Sequence, residues 1–139
     1  MTVIVTDEGF RPEDLYFGFA RPEDIPANDP GTPLGLEIAS DADPSDLAPW
    51  LDSAVAIRVD FPSFADGRGF TIARRIRLMG YKGRLRAKGH VIADQYAMAR
   101  RAGFDEVEID QDLAERQPEE QWLFRADWKA HDHQSRLRA

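Results

Sequence analysis

Four short segments of this chain alternate apolar and charged residues with a period of two, and they alternate in phase. One face of the alternation holds Leu36 and Ile38, then Val55, Ile57 and Val59, then Leu85 and Ala87, then Val107 and Ile109. The other holds Glu37, then Arg58 and Asp60, then Arg84, Arg86 and Lys88, then Glu106, Glu108 and Asp110. Two is the strand period, because successive side chains point to opposite faces. A parallel sheet covered by helices on both faces reads instead as continuous apolar runs. Helices therefore belong mainly on one face, and the other face carries charge. The competing arrangement is a three-layer sheet in which these charges sit near strand ends, outside the core.

The segments between the strands carry helix signals. Leu34–Ala39 reads as a strand, and Asp43-Pro44 as an N-cap with proline at the first helical position, leading a short helix to about Asp52. Ala54–Phe61 is the clearest strand. Asp66-Gly67-Arg68-Gly69 turns the chain into a helix of about Phe70–Met79, with Arg74, Arg75 and Arg77 towards its end and Gly80 after it. Arg84–Lys88 is a strand, Val91–Ala102 a helix stopped by Gly103, and Phe104–Asp110 a strand. The stripes Ile72, Ile76, Met79 and Ile92, Tyr96, Ala99 have the spacing of core-facing helix faces. The order is β-α-β-α-β-α-β with short connections, which predicts an α/β fold of consecutive parallel units, half-barrel-like.

A length of 139 residues suits one domain. Residues 34–110 form its β/α core. Residues 1–33 are an irregular N-terminal segment with a short strand at Thr2–Thr6. Four of the nine prolines fall between Pro22 and Pro33, as in a loop. Arg-Pro-Glu-Asp occurs at Arg11–Asp14 and again at Arg21–Asp24, which is too short for a structural repeat. Residues 111–139 are a C-terminal extension packing on the core, with a short helix near Leu113–Gln117 and an aromatic segment Trp122–Trp128.

The charged face needs partners, because unpaired buried charge is costly. Three arrangements supply them. Charges pair across strands, such as Glu37 with Arg58 or Arg86 with Glu106 or Glu108. The aromatic segments Leu15–Phe19 and Trp122–Trp128 fold over it. Or a second copy covers it, making a homodimer.

Composition narrows the chemistry. The chain has no cysteine, which removes disulfides, thiolate nucleophiles and cysteine-ligated clusters. A net charge of −7 argues against nucleic acid and anionic membranes as general partners. No stretch has the ~20 apolar residues of a membrane helix, and the N-terminus lacks a basic, signal-like start, so a cytoplasmic location is expected. The charge is segregated. Arg68 to Arg101 holds ten basic residues and one acid, and the rest holds eight basic and 24 acidic residues. Such a block either guides an acidic partner or is neutralised by the acidic remainder.

Ligands of parallel α/β folds bind at strand C-terminal ends. The residues placed there are Asp41, Asp43, Asp60, Asp66, Arg68, Gly89, His90, Asp110 and Asp112. Asp66-Gly67-Arg68-Gly69 presents backbone N–H groups to an anion, or is only a tight strand–helix turn. His90 is an acid–base group with Asp60 or Asp94, or a polar helix-start residue. The acidic rim and His131-Asp132-His133 are the weakest candidates for a metal, and no metal or cofactor is expected.

Phe61-Pro-Ser-Phe-Ala-Asp-Gly-Arg-Gly, Leu85-Arg-Ala-Lys-Gly-His-Val and Asp94-Gln95 together carry a resemblance. The chain resembles a bacterial family known as domain of unknown function 934. The matching positions are Asp66, Gly67, Arg68, Gly69, Arg86, Gly89, Asp94 and Gln95. Family members typically lie beside genes for assimilatory sulfite reductase and are often labelled oxidoreductases by that neighbourhood. The resemblance implies an auxiliary protein of sulfate and sulfite reduction that binds the reductase or its electron donor. It supplies no catalytic residues, and relatives often carry another polar residue at the His90 position. The alternatives are a structural homodimer, or an anion-binding or catalytic domain. The latter would use Asp66, Gly67, Arg68, Gly69, Arg86, His90, Asp94 and Gln95.

Overall fold

Leu36, Ile57, Val59, Leu85, Ala87 and Val107 are all fully buried, on the face the alternation assigns to the core. The computed structural model describes residues 2–15, 18–25 and 34–126. Its seven strands are β1 (Thr2–Thr6), β2 (Gly9–Arg11), β3 (Phe19–Ala20), β4 (Leu34–Ile38), β5 (Ala54–Phe61), β6 (Arg84–Gly89) and β7 (Glu106–Asp110). The helices are α1 (Arg68–Leu78), α2 (Tyr96–Ala102), α3 (Gln111–Arg116) and α4 (Glu119–Arg125). One sheet runs in the order β2-β1-β7-β6-β5-β4-β3. From β3 to β7 every neighbour is parallel and consecutive, the half-barrel order. The strand at Thr2–Thr6 inserts antiparallel beside β7, with β2 antiparallel to it.

The helix layer packs on the apolar face. Phe61 lies 5.0 Å from Phe70 of α1 and 5.8 Å from Phe104, ring centre to ring centre. Ile72, Ala73 and Ile76 of α1 and Tyr96, Ala99 and Ala102 of α2 complete this core. Each large apolar side chain so buried contributes about 1.5–3 kcal/mol.

Several details differ from expectation. Asp43 caps as predicted, its carboxylate accepting the Ser45 N–H at 3.0 Å, but Pro44–Trp50 is a 3-10 helix. The helix expected over Val91–Ala102 opens with a 3-10 turn, Ala93–Gln95, and only Tyr96–Ala102 is α-helical. There Gln95 accepts the Ile92 N–H at 3.0 Å, a side-chain bond that tightens the first turn. Val55 is 43 % exposed rather than buried, because β4 pairs Leu34 with Ala54 and Gly35 with Ala56 and so skips it. Trp122 leaves the charged face to the N-terminal segment. It is buried in the helix layer, 6.1 Å from the Tyr96 ring, and its indole N–H donates to the Gln117 carbonyl at 2.9 Å. Trp128, Tyr16, Phe17 and the His131-Asp132-His133 cluster lie outside the described residues. No helix among the described residues is long and apolar enough to cross a membrane.

Candidate functional site

The charged face neutralises itself around Arg86. This side chain has 0 % exposure and donates to Glu106 at 2.5 Å, Glu108 at 2.8 Å and Glu13 at 2.6 Å. The expected pairs are present: Arg58 meets Glu37 at 3.1 Å, and it also reaches Glu108 at 3.2 Å. In-register pairing makes this possible, since Arg58, Arg86 and Glu106 lie abreast on adjacent strands, with Lys88 beside Glu108. Lys88 in turn stands 3.6 Å from Glu37.

The chain then closes over its own charge. Asp14 binds Arg84 at 3.0 Å, and the Arg58 guanidinium stacks 4.1 Å above the Phe19 ring. Arg86 lies 5.5 Å from the same ring. Burial pushes the Glu13 carboxyl up, but the Arg86 hydrogen bond and the Leu15 N–H outweigh it and hold it below the ordinary value. The hydrogen bond from Arg84 likewise lowers Asp14. Burial disfavours the charged form of Arg86, yet its bonds to Glu13 and Glu106 keep it more firmly protonated than a free arginine.

The Asp66-Gly67-Arg68-Gly69 turn is tied to itself. Asp66 accepts from Arg68 Nη2 at 2.7 Å, Arg68 Nε at 2.9 Å and Ser40 Oγ at 2.9 Å, and its other contact is the Arg68 backbone N–H at 3.1 Å. The Arg68 side chain first, and Ser40 next, hold the carboxyl far below the usual carboxylate range. A β-carbon on Gly69 would overlap the Phe61 ring, whereas one on Gly67 would meet open space. Only Gly69 is therefore demanded by packing. Gly89 has φ +110° and a β-carbon there would stand 2.7 Å from the Phe61 carbonyl oxygen.

The remaining sequence candidates are placed apart from this turn. His90 is exposed, its Nδ1 3.3 Å from the Phe61 carbonyl and its ring edge-on to Phe64. Asp94 binds Arg125 of α4 at 2.5 Å. Gln95 donates to the Phe64 carbonyl at 3.0 Å while accepting from Ile92. Gln95 and His90 thus both hold the loop after β5, and Arg86 lies one layer away on the sheet.

A small cleft opens at the C-terminal ends of β6 and β7, about 180 Å³ in volume. Lys88, His90, Glu108, Asp110 and Arg116 line it, with Thr2 and Phe64 at its sides. His90 and Asp110 were expected at this end of the sheet. Thr2 and Arg116 were not, because the insertion of β1 beside β7 brings Thr2 there and α3 brings Arg116. Asp110 caps α3 by accepting the Leu113 N–H at 2.8 Å. Among the described residues no group of three or more His, Asp or Glu side chains is placed to hold a metal ion.

No curated protein and no solved structure matches the chain. A family model does match, over residues 35–135, from β4 through the helix layer to beyond α4. That span contains β5 to β7 and nearly all of β4, the Asp66–Gly69 turn, Arg86 and Asp94-Gln95, and it places the chain in the bacterial family of proteins of unknown function DUF934.

Proposed function

We propose that this protein is an auxiliary component of assimilatory sulfite reduction in the cytoplasm, acting by binding sulfite reductase or its electron donor rather than by chemistry of its own. The pathway rests on the resemblance described above. The binding role rests on one observation: the charges of the polar sheet face are tied to one another, with the chain's own Glu13, Asp14 and Phe19 lying over a fully buried Arg86. Groups so tied serve to fix a shape. Deleting the gene tests the role. Growth should fail on sulfate and return on cysteine, with reduced sulfite-reductase activity in extracts. Normal growth on sulfate with full reductase activity overturns it.

A second reading is favoured by the cleft at the ends of β6 and β7, where Lys88, His90 and Arg116 stand beside Glu108 and Asp110 and would have to outweigh them to hold a small anion. Isothermal titration with sulfite and sulfate separates the two: micromolar binding lost in Lys88→Ala supports the second reading.

A further inference from the structure

The ten basic residues between Arg68 and Arg101 divide sharply when their partners are traced. Seven of them enter ion pairs, and all of their acids come from outside the block. Arg68 takes Asp66, Arg75 takes Asp43, Arg77 takes Asp105, and Arg84 takes Asp14 and Glu106. Arg86 takes Glu13, Glu106 and Glu108, Lys88 takes Glu37, and Arg100 takes Asp7. Among the described residues, Arg74, Lys82 and Arg101 alone of the ten have no ion pair, and all three are exposed.

Two of these three meet at one place. Arg74 of α1 and Arg101 at the end of α2 line a shallow groove of about 400 Å³ with Leu78, Ala102 and Gly103. Leu78 is 87 % exposed, the most exposed large apolar side chain of the described residues. It sits one turn after Arg74 on the same helix face. Arg77, at the groove floor, is turned inward and spent on the Gly103, Tyr81 and Gly83 carbonyls and on Asp105. Lys82 follows four residues beyond Leu78. Arg101 lies in the last turn of α2, whose terminal carbonyls favour a nearby cation. The result is an isolated leucine flanked by free positive charge on a molecule whose net charge is −7.

We propose that this groove docks an acidic segment of a partner protein, with an apolar side chain of the segment against Leu78 and its carboxylates on Arg74 and Arg101. The inference rests on the binding role proposed above and names the surface through which it works. Charge complementarity selects the occupant. A second copy of this chain brings a net negative surface in general but meets its own arginines at a two-fold contact centred here. An acidic, apolar segment satisfies both halves of the groove.

The test uses the full chain and a fluorescein-labelled peptide, Glu-Asp-Glu-Leu-Glu-Asp-Leu-Glu, followed by polarisation. The wild type should bind it, and an Arg74→Glu/Arg101→Glu variant should bind at least about tenfold more weakly. Leu78→Ser should weaken binding as well, and a peptide with serine in place of both leucines should bind less. Arg74→Gln/Arg101→Gln serves if the charge-reversed protein melts early, and Phe124→Ala, on the exposed face of α4, should bind like wild type. Absence of binding by the wild type, or equal binding by all variants, overturns the proposal. So does a groove-dependent dimer in light scattering, which assigns the surface to a second copy. Binding of a single-stranded oligonucleotide that the same variants abolish overturns it too. Complementing the gene deletion keeps the two inferences apart. If wild type restores growth on sulfate and Arg74→Glu/Arg101→Glu does so equally, the groove fails while the role stands. If the deletion strain grows normally, the role fails and the peptide assay alone decides the groove.

Discussion

Arg86 is buried at a position where a strand pattern alone calls for a surface residue. Taking its guanidinium out of water costs several kcal/mol, and three carboxylates at 2.5–2.8 Å offset that cost. Removing the cation alone leaves Glu106 and Glu108 buried together. Arg86→Ala should therefore lower unfolding free energy by about 3–5 kcal/mol in urea melts, far more than an exposed ion pair such as Arg75–Asp43 is worth. The two glycines of the α1 turn make a sharper contrast. Gly69→Ala forces a methyl group into the Phe61 ring and should cost about 1–3 kcal/mol. Gly67→Ala enters open space at φ −81°, and should change stability by less than about 1 kcal/mol. At this scale the sequence was readable where neighbours in register decide the outcome. Arg58 with Glu37 and Arg86 with Glu106 follow from strand alternation alone. Glu13 and Asp14 reaching Arg86 and Arg84 did not follow, since the partners lie 73 and 70 residues apart and no local period records it.

Glu13, Asp14 and Phe19 bring two carboxylates and a ring to the polar face, and the hold of the carboxylates depends on their being ionised. Glu13 and Asp14 lie below their ordinary values of 4.5 and 3.8. Their stabilisation is therefore complete above those values and is lost as the pH falls through the lower, folded-state ones. The Leu15 N–H, which donates to Glu13 at 3.0 Å, reports this directly. Its amide resonance should titrate with a midpoint below 4.5, and in Arg86→Lys the midpoint should rise. A wild-type midpoint at or above 4.5 would contradict the pairing. Element boundaries show the same division between local and tertiary causes. The Asp43 cap was legible from turn chemistry, and so was α1, although it starts at Arg68, two residues before the expected Phe70. The short α2 was not, because Gln95 bonds to Ile92 and to the distant Phe64 carbonyl and so replaces the first helical turn.

Across the whole molecule, the least local decision is where the first strand goes. The parallel core ends at β7, whose far edge would otherwise present unpaired backbone groups to any other chain. The insertion of β1 closes that edge, pairing Val3 with Ile109 and Val5 with Val107 so that the apolar face continues across the new strand. Ile4 and Val5 are both buried, one on each face. The short β-branched run Thr2–Thr6 marks a strand but names no partner, and only the free edge of β7 decides it. Two consequences separate a structural edge cover from a dispensable tail. A chain lacking residues 2–11 loses Val5 from the core and exposes β7, so it should associate through that edge and scatter light as a concentration-dependent oligomer. Ile4→Asp keeps the strand length but puts a third acid beside Glu106 and Glu108. It should remain monomeric while losing about 2–4 kcal/mol of stability, as expected for a carboxylate placed in a buried site. If the truncated chain stays a monomer of unchanged stability, β1 does not close the sheet. The half-barrel would then end at β7.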